Sequence, residues 1–325
     1  MYGAMKLRPI DPTRACTRPL ASLSRIVKRG QFARPLRAGA KVGELIDSLP
    51  EVLAAADLRE LARRIAAARR AGRTVLMLSG AHPLKVGLSP IICGMLRDGL
   101  LSAIATNGAA IIHDFELALA GRTSEDVGAG LAEGNFGMAE ETGAFLNEAA
   151  KIAAAEGIGL GEAVGREIIR ARLRHRDASI FATAYRAGAP ATVHVALGAD
   201  IVHMHPGADG GAIGSATMAD FHRLTAVVGT LGRGVVLNVG SAVIMPEVFL
   251  KALNLARNLG RPVRGFCAAD MDFARQYRPR LNVVERPTVT GGGRGIMLTG
   301  HHEIMFPLLA AAVREELARR GRRKR

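Results

Sequence analysis

The chain has 325 residues, a formal net charge of +15, three cysteines and no tryptophan, and is 49% hydrophobic and 22% charged. This composition excludes collagen-like and disordered chains, and Cys16, Cys93 and Cys267, far apart and with no Cys-x-x-Cys, exclude a disulfide framework and a cysteine-built zinc site and point to a reducing cytoplasm. Residues 1–40 carry nine basic side chains against Asp11, and residues 314–325 seven against Glu315 and Glu316, so the body between is nearly neutral.

A basic face interleaved with aromatics, the usual footprint of nucleic-acid binding, is absent from that body, so nucleic acid is expected only in non-specific contacts of the basic ends. The first thirty residues hold no signal-peptide core, and no run of about eighteen apolar residues suggests a membrane span. The expected organisation is a basic arm over 1–40, extended or partly disordered, a single α/β domain over 41–315, and a basic tail over 316–325.

In chain order, Val52 to Ala71 has apolar residues at helical spacing and predicts an amphipathic helix. Gly72-Arg73 ends it, and Thr74 to Leu78 predicts a short strand buried on both faces. A helix over Ser89 to Asp98 and a strand at Ala103-Ile104-Ala105 complete a βαβ unit. Residues 126–177 read as helical, broken at Gly134, Gly137 and Gly157. Strands are predicted at Thr192 to Val195, Ile201 to Met204, Val235 to Val239, Val263 to Cys267 and Ile296 to Thr299. Helices are predicted around Met218 to Gly229, Pro246 to Leu259 and Ile304 to Arg319. Alternation of this kind predicts an α/β fold with a doubly wound, mostly parallel sheet. Gly72 to Gly80 and Gly232 to Gly240 repeat one layout, a buried strand running into glycine and then helix.

Polar residues collect where these strands end, in Ser79 to Gly87, Thr106 to Glu116, His203 to Gly211, Asn238 to Ser241, Cys267 to Asp272 and Thr299 to Glu303. Open α/β sheets bind ligands at such ends, although glycine there also serves ordinary tight turns. The Gly-x-Gly-x-x-Gly dinucleotide fingerprint is absent. His113-Asp114-x-Glu116 supplies either general acid/base groups or helix capping. His203-x-His205 on an extended segment would share a face, with Asp209 as a third ligand for zinc or iron or, as we favour, with the loop binding substrate and no metal. Gly291 to Gly295 reads as a mobile loop rather than an anion-binding nest. Lys85 is either a cofactor contact or a solvated side chain.

The segments Gly80 to Gly87, Thr106 to Asp114, Asn238 to Ser241, Cys267 to Asp272 and Thr299 to Pro307 resemble the deoxyhypusine synthase family, over residues 70–315 with gaps. The resemblance implies a Rossmann-like NAD-binding fold, a homotetramer with sites at subunit interfaces, and hydride and aminobutyl transfer from a polyamine through a lysine imine. Two departures stand against the whole reaction. The family's Trp-Gly-Lys segment reads Leu281 to Arg286 here, with no lysine between Lys251 and Lys324, which leaves the imine-forming step without a candidate. The family's Lys-His-His segment reads Gly240 to Glu247, and His113 stands about where the family has an active-site glutamate.

The implied function is therefore an NAD-dependent cytoplasmic enzyme that transfers hydride on a small amine- or amino-acid-like substrate, not deoxyhypusine synthesis itself. The alternatives are a polyamine aminobutyl transferase with different catalytic groups and a non-catalytic NAD sensor. The expected catalytic residues are His113, Asp114, His203 and His205. NAD is expected against Gly80, Thr106, Asn107, Gly108, Asn238, Gly240, Ser241, Ala268, Asp270 and Gly300. Substrate is expected against Glu116, Asp209, Glu247, Asp272 and His301.

Overall fold

Short apolar runs bounded by glycine become strands, and the longer amphipathic stretches become the helices that cover them. The computed structural model describes residues 7–289 and 291–322. Residues 7–41 precede the body as an exposed segment with three single turns of 3₁₀ helix. It is tied to the body where Arg34 N donates to Ser48 O and Glu51 N to Gln31 O, each at 2.9 Å. The remaining parts of the expected arm and tail, residues 1–6 and 323–325, lie outside the described residues.

Helices α1 (Val42–Ser48) and α2 (Leu53–Arg70) lead into β1 (Val75–Ser79), α3 (His82–Lys85), α4 (Ser89–Arg97) and β2 (Ala103–Asn107). A helical insertion follows, made of α5 (Gly108–Ala120), α6 (Val127–Ala132), α7 (Glu140–Glu156), α8 (Leu160–Arg170) and α9 (Ile180–Arg186), before β3 (Ala191–His194). The second half runs through α10 (Gly210–Gly229), β4 (Val235–Val239), α11 (Ile244–Asn258) and β5 (Cys267–Asp272). A π-helical turn over Pro279–Glu285 runs into α12 (Arg286–Val289), then β6 (Arg294–Thr299) and α13 (His302–Arg322). Gly121 and Gly157 end α5 and α7 in the left-handed conformation, at φ 68° and 67°, which glycine adopts without the steric cost of a Cβ.

The six strands form one parallel sheet in the order β3-β2-β1-β4-β5-β6. Alternate residues of each strand feed two cores. Val75, Met77, Ile104, Val235 and Leu237 face α2, α4, α5, α8 and α13, while Leu76, Leu78, Ala105 and Val236 face α10 and α11. The chain winds from β1 outward to β3 with helices on one face, then from β4 to β6 with helices on the other. That is the double winding expected when every crossover is right-handed. It also places the β1–β4 junction, with Leu78 paired to Asn238 and Ser79 to Val239, at the point where the strand order reverses.

Four segments differ from the sequence expectation. Ile201–Met204 is a turn of 3₁₀ helix, not a strand; its apolar residues dock on α7 instead of joining the sheet. The fifth strand starts at Cys267 rather than ending there; in the loop before it Val263 and Phe266 are buried while Arg264 is exposed. Helix α10 begins at Gly210, where Asp209 caps it, well before Met218. Arg294 and Gly295 belong to β6, so of the glycine run only Gly291 and Gly292 form the turn, and Thr290 lies outside the described residues.

Candidate functional site

At the β1–β4 junction the two strand ends come close together. A Cβ on Gly80 would stand 2.3 Å from Gly240 O, and Gly240 itself has φ 64°. His302 begins α13 fully buried, its Nε2 3.0 Å from Met271 O. His82 and Phe273 pack around that ring at centroid distances of 5.2 and 6.3 Å. Burial, and then the neighbouring His302, lower the His82 pKa. Beside this cluster Asn238 Nδ2 donates to Ser241 O and to Asp270 Oδ1, and burial raises Asp270 to about 6. Helices α5 and α11 start at these strand ends with no side-chain cap among the described residues, which leaves their leading N–H groups without side-chain acceptors, apart from Met245 N, which donates to Ser241 Oγ at 3.2 Å. The side-chain oxygens Asn107 Oδ1 and Asn238 Oδ1, together with His302 Nδ1, are buried and find no partner among the described residues.

A cavity of about 210 Å³ lies along α5, next to the end of α3. One wall is the face of α5 that presents Ala109, Ile112, His113 and Glu116, positions three and four apart that stack on one side of a helix. Ser124, Glu125 and Val127 from the α5–α6 connection, Phe136, Lys85 at the end of α3, and Ala199 to Ile201 complete the lining. His113 and Glu116 are joined through Thr123. The Thr123 hydroxyl donates to Glu116 Oε2 at 2.5 Å and lies 2.6 Å from His113 Nδ1. With that hydroxyl proton committed to the carboxylate, Thr123 Oγ1 accepts from Nδ1–H, and the free lone pair of a neutral imidazole is then on Nε2. Burial, and then the positive charge of Lys85, push His113 down to about 4. Asp200 is 9% exposed and lies against the first residue of α5. Its Oδ2 has no partner among the described residues, and burial raises its carboxyl to about 6.

The expected site residues divide. His113 and Glu116 share the cavity, and Gly80, Thr106, Asn107, Gly108, Asn238, Gly240, Ser241, Asp270, Asp272 and Gly300 gather at the carboxyl ends of the strands. At Gly80, Gly108, Gly240 and Gly300, however, the space a side chain would need is taken by the protein itself, so each glycine is already required by packing.

Five expectations are corrected. Asp114 is fully buried on the opposite side of α5, where it accepts from Ser179 Oγ and Ile180 N at the start of α9; it joins two helices. His203 and His205 do not share a face. His203 Nδ1 accepts from Gly198 N at 3.2 Å, whereas His205 Nε2 meets Gly137 O at 2.8 Å. Asp209 caps α10 through Ala212 N. Glu247 is held by Lys251, Arg278 and Asn282, linking α11 to the π-helical turn. Ala268 sits near the start of β5 with its side chain in the α10/α11 core, a full strand away from the carboxyl ends. Of the adjacent histidines, His301 is exposed and His302 is the one in the cluster.

Asp200, Glu125 and His82 were not singled out from the sequence. Asp200 lies more than sixty residues along the chain from the α5 and α5–α6 parts of the cavity wall and from Phe136, in a segment misread as leading into a strand. Lys85, which the sequence leaves between a cofactor contact and a solvated side chain, borders the cavity.

No protein-family model matches the chain, and no curated protein matches it. Solved structures do. A protein from Methanococcus maripaludis S2 described as LOR/SDH has a TM-score of 0.51 and 14% identity, over 88% of this chain and 72% of that one. AgrE, solved in a ternary complex with ornithine and NAD+, has a TM-score of 0.50 and 12% identity, over 88% of this chain and 35% of its own. A chain described as a deoxyhypusine synthase from Entamoeba histolytica has a TM-score of 0.49 and 12% identity, over 86% and 95%. The present chain thus spans about a third of AgrE and most of the Methanococcus protein. What it shares with those two is the fold.

Proposed function

We propose that this protein is an NAD-dependent enzyme that moves hydride on a small amine- or amino-acid-like substrate. The observation that carries the reading is the pairing of two features on the side of the sheet where the strands end: uncapped helix N-termini with Asn oxygens that find no partner among the described residues, and a cavity along α5 with a neutral histidine. AgrE, which has the same fold, binds ornithine and NAD+, and that supports the choice of both ligands.

The residues present fit such a cofactor. The leading N–H groups of α11 and α5 suit its phosphates, and the Asn107 and Asn238 oxygens accept from hydroxyl or amide groups. NAD supplies the hydride acceptor when bound. Within the cavity His113 Nε2 takes the proton released as a C–H carbon bearing nitrogen or oxygen is oxidised, while Thr123 and Glu116 fix the ring's orientation and tautomer. The test is direct. NAD+ should raise the melting temperature, and reduction should appear in the near-ultraviolet as amines and amino acids are screened. If NAD+ neither binds nor shifts the melting curve, the proposal fails.

One observation favours a transfer reading as well, namely Lys85 at the cavity. An imine to its Nζ would be trapped by borohydride, and a Lys85 adduct found by mass spectrometry after incubation with NAD+ and a polyamine would favour transfer over simple oxidation.

A further inference from the structure

At the amino edge of the sheet, opposite the candidate site, α2, α10 and α11 end and the chain turns into β1, β4 and β5. Two cavities open there, of about 360 and 430 Å³. The first is lined by Arg64, Arg73 and Arg233 and the second by Arg257, Arg261 and Arg264, and neither lining includes a carboxylate or an aromatic ring. The two abut. Arg233 N donates to Arg264 O at 3.0 Å, and Gly265, the next residue, belongs to the first cavity.

Two of these arginines are engaged. Arg64 pairs with Glu60, and Arg257 donates to Val263 O and Pro287 O. Arg73, Arg233, Arg261 and Arg264 are exposed, and among the described residues their guanidinium groups make neither an ion pair nor a hydrogen bond. Arginines near helix C-termini ordinarily serve the macrodipole by donating to the last carbonyls, and these four do not. Three helix ends bring about −0.5 charge each, about −1.5 together, so four unpaired cations leave the edge positive. Arg233 is also left-handed, at φ 58° between Gly232 and Gly234. Glycine would adopt that conformation freely, so the position keeps a charged side chain against its backbone preference.

We propose that this edge is a second binding site, for a condensed phosphate, a chain of linked phosphoryl groups either free or carried by a nucleotide. Guanidinium forks match phosphate oxygens in geometry and stay charged at any working pH. A linked chain presents successive anionic groups to the arginines of both cavities, whereas orthophosphate presents one. Each cavity falls within the roughly 300–1,000 Å³ of small-ligand pockets. Single-stranded nucleic acid is held by stacking its bases on aromatic side chains; none lines either cavity, so the site reads phosphate and not base. The length of β4, about 16 Å, separates this edge from the strand ends assigned to the cofactor.

The full chain is titrated calorimetrically at about 0.1 M salt with tripolyphosphate, ATP, orthophosphate and a short thymidine oligonucleotide of matched charge. Tripolyphosphate should bind at least tenfold more tightly than orthophosphate. The double variant Arg233→Gly, Arg264→Gln removes one charge from each cavity and relieves the left-handed backbone, so it should fold. It should weaken tripolyphosphate by about tenfold or more, the effect of a lost charge-assisted hydrogen bond, and respond to NAD+ as the wild type does. A matched change in the basic arm, Arg14→Gln with Arg18→Gln, should leave tripolyphosphate binding unaltered. ATP identifies the source within the proposal: equal or lower affinity than tripolyphosphate means a free phosphate chain, and higher affinity means a nucleotide. The oligonucleotide binding as tightly as tripolyphosphate overturns the proposal. So does wild-type affinity in the Arg233 and Arg264 variant, loss of binding in the arm variant, or competition between tripolyphosphate and NAD+.

Discussion

His113 is neutral at physiological pH because the helix face that carries it is buried and Lys85 stands nearby. An ordinary histidine titrates near 6.5, whereas this one is held at about 4. The proton-accepting form is therefore present above about pH 4 and is lost as pH falls through that value. The acid limb of the kcat/KM profile should accordingly have its midpoint well below 6, and a midpoint near 6.5 would contradict the assignment. His113→Ala should lower kcat at least 100-fold, in the usual range for a lost general base, with little change in melting temperature because the ring is partly exposed. That His113 and Glu116 belong to one polar motif was legible, although the sequence pairs His113 with Asp114 for catalysis and leaves Glu116 to substrate. Their bridging through Thr123, which selects the reactive nitrogen, was not, because Thr123 lies beyond the end of the helix and only the chain reversal at Gly121 brings it back.

At the scale of elements, several joints depend on one buried carboxylate each. Asp220 on α10 accepts from Gly161 N at the start of α8 and from Val193 N in β3 through a single oxygen, at 3.0 and 2.8 Å. Removing it leaves two buried donors unpaired, so Asp220→Ala should cost about 3 kcal/mol of unfolding free energy. Urea unfolding measures this, and a loss under 1 kcal/mol (roughly one ordinary hydrogen bond) would mean that the joint is supported elsewhere. Gly80→Ala tests the other critical joint. Its Cβ would meet Gly240 O at 2.3 Å, the obstructing atom is backbone, and the β1 and β4 ends would have to separate. A destabilisation of about 2 kcal/mol is expected, with weaker NAD+ binding in a parallel titration. The strands and helices themselves were largely legible, because continuous apolar runs and helical spacing are local signals. The misreadings occurred where an apolar segment packs outside the sheet, at Ile201–Met204, and where a loop with buried apolar side chains, Val263 and Phe266, precedes a strand.

For the whole molecule, the winding sorts charge that the sequence leaves balanced. The body is nearly neutral in sum, yet Glu116, Glu125, Asp200, Asp270 and Asp272 lie toward the carboxyl ends of the strands. Arg73, Arg233, Arg261 and Arg264 lie on the loops that enter the amino ends. Among the described residues these four arginines make no ion pair, and after desolvation the charge of Arg264 lowers the pKa of neighbouring Arg257. Like charges gathered at one edge repel, and salt screens them over roughly 10 Å at 0.1 M. Raising sodium chloride from 20 to 300 mM (conditions spanning that screening range) should therefore raise the melting temperature. Arg264→Gln should stabilise by about 0.5 kcal/mol, the size of an exposed charge pair after screening. A melting temperature that falls with salt would show that attraction, not repulsion, dominates.

The sequence by itself determined the alternation of buried strands and amphipathic helices, and with it a parallel, doubly wound sheet with its polar residues at the strand ends. Those properties follow from the periodicity of neighbouring residues, which local sterics and burial translate directly into elements. Only the tertiary structure decided which polar residues meet. Asp114, Asp209 and Glu247 went to caps and joints, Ala268 to the core, and Asp200 and Lys85 to a cavity with His113 and Glu116. The reason is physical: a carboxylate caps a helix or faces a ligand according to which element arrives opposite it, and the crossovers, not its sequence neighbours, set that arrival.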